Sequence, residues 1–149
     1  MAQLSAEARA IVQDQMSRAA RRIAGAAIAM SREEVAEGEF DNHSDGVVSA
    51  IFHIADAVEL ARTGVRRQVG EGDEATAIRS VLATLSAEGV GSVPGPARLI
   101  DLNYRRNASV HGDWTEILDR NSLADAIAAG RQFHRAATVY IESRGVRLT

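Results

Sequence analysis

Between Ser5 and Met30 the apolar residues Ile11, Val12, Met16, Ala19, Ile23, Ala27 and Met30 return at intervals of three and four, with no proline among them. That spacing is one face of a 3.6-residue helix, and it excludes the strict alternation of a half-buried strand. The same rhythm recurs in Val47, Val48, Ile51, Ile54, Ala55, Val58 and Ala61, then in Ile78, Val81, Leu82 and Leu85, and finally in Leu123, Ile127, Phe133, Ala137, Tyr140 and Ile141. No alternating segment, internal repeat or low-complexity tract interrupts it. Composition agrees: the 149 residues include 27 alanines and two prolines, the best helix former and the residue a helix interior rejects. Aromatics are only 4% of the chain, so its core is built from small aliphatic side chains.

Capping residues divide the pattern. Ser5 is a plausible N-cap for the first helix, and Ser31 followed by Glu34 reads as a capping box, extending a helical turn to Glu37 before Gly38. The polar stretch from Glu39 to Ser44 reads as a separator, the second helix as Asp45 to Thr63, with Gly64 as its stop. A loop over 65–72 precedes a third helix that starts after Asp73 and ends at Gly89. Residues 89–96 (GVGSVPGP) form the clearest break, and Pro96 suits the first turn of a fourth helix that carries Leu99, Ile100, Leu102 and Tyr104 and stops at Gly112. Ser122, with Asp125 three residues on, opens a last helix closed by Gly145. The expectation is an all-α fold, an up-and-down bundle of about five helices, in one domain spanning residues 1–149.

Several functions are excluded by residue type. All 17 basic residues are arginine, so there is no Schiff-base lysine and no phosphate-loop lysine. With no cysteine there is no disulfide, thiolate zinc site or cysteine nucleophile, which fits a reducing, cytoplasmic compartment. No run of 18 apolar residues exists and the start MAQLSAEARA is polar, so neither a membrane span nor a signal peptide is expected. The net charge of −3 argues against a surface covered in nucleic-acid contacts while leaving room for a local basic patch.

Reactive groups are densest in Asn103-Tyr104-Arg105-Arg106-Asn107-Ala108-Ser109-Val110-His111-Gly112-Asp113-Trp114. Arg106 offers a permanently charged planar fork that matches phosphate. His111 exchanges protons near neutrality, its unperturbed pKa being about 6.5. Asn107 can orient either by hydrogen bonding. An arginine on phosphate and a histidine for proton transfer suffice to cleave RNA without a metal or cofactor: the histidine deprotonates the 2′-hydroxyl, which attacks the adjacent phosphorus. DNA lacks that hydroxyl. On an ideal helix, positions 106 and 111 lie roughly 140° apart. Two routes bring them together: the helix loosens before Gly112, or a two-fold dimer brings two copies to one cleft; we favour the two acting together.

The Arg106-Asn107-(three residues)-His111 pattern resembles the Arg-polar-x3-His signature of HEPN domains. The upstream segment SAIFHIADAVELA (49–61) is similar to the alanine-rich, FH-containing helix of that family. The resemblance extends over most of the chain. It implies an all-α bundle, homodimerisation that joins two motifs, and metal-independent endoribonuclease activity of toxin or defence type. It also implies a possible nucleotidyltransferase-type antitoxin as partner. Carried over residue by residue, it marks Arg106, Asn107 and His111 as catalytic, beside which Arg105 and Trp114 are candidate RNA-binding residues. Asp113 stands where such toxins commonly carry a tyrosine.

Each feature has a plainer reading. Arg106 and His111 can be a solvated helix end, with the imidazole favouring the C-terminal dipole. His53, between Phe52 and Ile54, reads as a satisfied core or interface histidine. Asp41, Asn42, His43, Ser44 and Asp45, imagined with His111 and Asp113 as metal ligands, read better as caps and solvated groups, so no metal is expected. Arg18, Arg21 and Arg22, and likewise Arg62, Arg66 and Arg67, are either solvated faces or RNA-backbone contacts. Trp114 stacks on a base or packs on Tyr104 or a dimer mate. The rival functions are a non-catalytic HEPN module that binds RNA or a partner protein, and a structural dimerisation bundle.

Overall fold

The computed structural model describes residues 4–32, 39–66, 74–90, 93–94 and 120–148, and within them the only regular structure is helix. The elements are α1 (Ala6–Met30), α2 (Glu39–Thr63), α3 (Glu74–Ala87) and α4 (Arg120–Ser143). The fold class is all-α. The helix expected over 96–112 lies outside the described residues.

The ends of α1 and the ends of α2, α3 and α4 show how far local chemistry governs them. Ser5 is extended and its Oγ accepts the Ala8 N–H at 3.0 Å, which caps α1 as the sequence predicts. Ser31 does the opposite of what its capping-box reading implies. It is αR, its N–H donates to the Ala27 and Ile28 carbonyls and its Oγ to Ile28 O at 2.6 Å, so it C-caps α1; Glu34 and the turn expected to Glu37 lie outside the described residues. The second correction concerns α2, which starts at Glu39 and not at Asp45. The stretch 39–45 is polar but holds neither glycine nor proline, and polarity reports a solvent-facing side, not a broken backbone. α4 likewise starts at Arg120, ahead of Ser122.

Three of the four expected glycine stops lie among the described residues and all are left-handed: Gly64, Gly89 and Gly145 have φ of +74°, +63° and +85°, while Gly112 lies outside them. After α4, Gly145 N–H donates to Glu142 O and Val146 N–H to Ile141 O, and after α3, Gly89 and Val90 bond Ser86 O and Leu85 O in the same way. This paired closure satisfies carbonyls that a helix end leaves orphaned, and only glycine adopts the required φ without a Cβ penalty.

α2 is the central element. Val47, Val48, Ala50, Ile51, Ile54, Ala55, Ala57, Val58, Leu60 and Ala61 are all buried, which leaves little of its circumference for water, and it packs on α1, α3 and α4. α1 buries a single stripe: Ala8, Val12, Met16, Ala19, Ile23, Ala26 and Ala29. Contacts set the directions. Leu4 lies against Gly64, Gln15 against His53, and Ile23 and Val47 both border Gly130, so α1 and α2 are antiparallel. His134 meets Met16, and Gln13 Nε2 donates to Arg147 O at 2.8 Å, so α4 is also antiparallel to α1. Five strictly alternating helices would set the last parallel to the first; here it runs the other way. Gly130 marks a close approach of α4 to α1 and α2, since a Cβ there would stand 3.3 Å from Ile23 Cδ1 and 3.4 Å from Val47 Cγ1.

Candidate functional site

The residues predicted to carry chemistry, Arg105, Arg106, Asn107, His111 and Trp114, lie outside the described residues, as do Tyr104 and Asp113. Functional geometry on the described helices is found at two seams and one end of the bundle.

The first seam joins α1 to α2. His53 is half-buried there, and its Nδ1 meets the Gln15 Oε1. With Nδ1–H donating to that carbonyl oxygen, Nε2 keeps its lone pair as an acceptor. Burial above all, then the Arg22 and Arg18 guanidinium groups, hold the His53 imidazole below its ordinary range, while Asp14 pulls the other way. The imidazole is therefore neutral at pH 7. Arg18 Nε bonds Asp14 Oδ2 at 2.9 Å, but both side chains are 55% exposed, so the pair is worth about 0–1 kcal/mol and opens readily. The reading of His53 as a satisfied interface histidine fits one of its ring nitrogens.

The second seam joins α1 to α4. His134 Nε2 bonds the Met16 carbonyl oxygen at 3.1 Å, facing a groove of about 480 Å³ bordered by Gln13, Ser17, Thr138 and Arg147. At the bundle end where α2 and α4 finish, Glu59 is only 7% exposed and is gripped by Arg62 through 2.8 and 3.3 Å bonds, so Arg62 is spoken for and is not a free basic group. Arg144 lies 4.9 Å above the Tyr140 ring and reaches Glu88 at 3.3 Å. The Tyr140 hydroxyl is buried with no hydrogen-bond partner among the described residues, and burial raises its pKa. Arg66 is exposed, and Arg67 lies outside the described residues.

Among the described residues no group of three or more His, Cys, Asp or Glu side chains is placed to hold a metal ion. No helix among them is long and apolar enough to cross a membrane. Comparison with protein-family models, curated proteins and solved structures finds no match.

Sequence reasoning missed Gln15, Glu59 and His134. Gln15 had a readable signal, since it stands three and seven residues before Arg18 and Arg22 on one helical face. Glu59 had one too, since Arg62 stands three residues on along the same helix, whereas His134 had none, because its partner, the Met16 carbonyl, belongs to another helix.

Proposed function

We propose that the chain is a HEPN-type, metal-independent endoribonuclease, the cytoplasmic effector of a toxin or defence module. The observation that carries this reading is the Arg106-Asn107-x3-His111 pattern, preceded by the FH-containing segment 49–61. The burial of nine of its thirteen residues in the central helix supports it, since an alanine-rich helix packed on several sides is what such a segment needs. In this reading residues 96–112 add a further helix to a five-helix HEPN-like bundle, and two copies form a homodimer with one shared cleft. His111 takes the 2′-hydroxyl proton, O2′ attacks phosphorus, and the P–O5′ bond breaks to leave a 2′,3′-cyclic phosphate. The 5′-oxygen leaves with a proton from the imidazolium of either copy. Arg106 offsets the charge on the phosphoryl oxygens, Asn107 orients the pair, and Arg105 and Trp114 hold the strand. The activity is one that a nucleotidyltransferase-type antitoxin would need to restrain.

The test is RNA cleavage by the purified chain with and without chelator. His111→Ala and Arg106→Ala are expected to lower turnover by about 10²–10⁴-fold while circular dichroism stays helical. Intact RNA with wild-type protein overturns the reading. A second reading, a non-catalytic module that binds RNA or a protein, is favoured by Asp113, whose carboxylate repels phosphate; it predicts affinity without turnover.

A further inference from the structure

We propose that the α1–α2 seam formed by Gln15, Arg18, Arg22 and His53 is a second RNA-backbone subsite, in which the two guanidinium groups take a phosphate and His53 Nε2 accepts a ribose 2′-hydroxyl. It rests on the reading that RNA is the ligand and adds where, away from the 106–111 motif, the strand is held.

Helical spacing selects the members. At about 100° per residue, Arg22 lies within 20° of Gln15 around α1 and Arg18 within 60°, whereas Arg21 lies 120° away. Because Gln15 faces His53, this spacing places Arg18 and Arg22 on the side of α1 turned toward the imidazole and Arg21 away from it. The influence of Arg18 and Arg22, but not Arg21, on the His53 proton affinity agrees with that placement. Both arginines are exposed, and Arg22 has no ion-pair or hydrogen-bond partner among the described residues. Arg18 has only the weak exposed pair with Asp14 to give up. The chemistry of the imidazole then decides between nucleic acids. Its Nδ1 is committed to Gln15, it is neutral, and its Nε2 has no partner among the described residues, so the open position accepts a donor rather than an anion. A ribose offers that donor as the 2′-hydroxyl beside a phosphate, and deoxyribose does not.

The experiment measures binding of one single-stranded RNA and the DNA of the same sequence by fluorescence anisotropy, over a salt series, in a His111→Ala background that blocks turnover. Replacing Arg18 and Arg22 by Gln is expected to flatten the log–log salt slope by about 0.7 per arginine. His53→Leu is expected to lower RNA affinity about two- to tenfold while leaving DNA affinity unchanged. Because both arginines are exposed, their substitution leaves the helical signature in place, so this arm stands even where the His53 variant is unstable. RNA bound with an unchanged slope after both arginine substitutions overturns the subsite and leaves the ribonuclease reading standing. A reduced slope in a protein whose wild type never cleaves RNA does the reverse. No RNA affinity in any form overturns both.

Discussion

α1 is flanked by two histidines that are held in different ways. On the α2 side, His53 is fixed by a side chain, Gln15, with two exposed arginines beside it. On the α4 side, His134 is fixed by a main-chain oxygen, Met16 O, from the middle of α1. A backbone carbonyl is available wherever two helices touch, so the second arrangement needs no particular partner residue and serves packing. A glutamine at one position of one helix is a chemical choice: it sets which ring nitrogen carries the proton and leaves the other open. The difference separates a histidine that joins helices from one poised toward solvent and charge.

The strongest way to break this contrast is to loosen α4 alone. Phe133 is fully buried, and Phe133→Ala is expected to cost about 3–5 kcal/mol in urea denaturation. Where the variant stays folded, the His53 titration followed by NMR is expected to be unchanged, because its partners sit on α1. A shifted His53 pKa would show the two seams to be coupled.

A smaller effect of opposite sign is expected at Tyr140. Its hydroxyl is buried without a partner among the described residues, so Tyr140→Phe removes an unsatisfied polar atom while keeping the ring under Arg144. The variant is expected to gain about 1 kcal/mol in the same denaturation assay, and a loss would show that the hydroxyl is bonded.

The smallest effect sharpens the His53 side. Its folded pKa lies below the unfolded value of about 6.5, so the unfolded chain binds the proton more readily. The stability linked to the neutral imidazole is complete above about pH 6.5 and is lost as pH falls through the lower, folded pKa. Urea midpoints between about pH 5 and 7.5 are expected to fall on acidification more in the wild type than in His53→Gln. Parallel curves would remove the argument for a neutral, partly desolvated imidazole.

Much of the helix layout was legible because helix ends are local chemistry. Ser5 bonds a backbone N–H three residues away, and Gly64, Gly89 and Gly145 stop helices through their own φ. The errors arose where a residue type has two local uses. Ser31 has the hydroxyl of an N-cap but turns it on the preceding turn, and the polar run from Glu39 carries no breaker, so its polarity misled. Of the site, the arginines of α1 were visible as a basic patch. Their division into Arg18 and Arg22 beside His53, with Arg21 apart, required knowing that Gln15 faces α2.

The sequence by itself determined the helical class, the Val12, Met16, Ala19 and Ile23 centre of the buried stripe of α1, and the glycine-closed ends at Gly64, Gly89 and Gly145, because a 3.6-residue rhythm and a backbone dihedral are properties of neighbours along the chain. Tertiary structure alone decided that α2 lies at the centre and that α4 runs antiparallel to α1 across Gly130. It also decided that one histidine faces a glutamine and the other a carbonyl. Those outcomes depend on contacts between residues far apart in the chain, and no local preference encodes them.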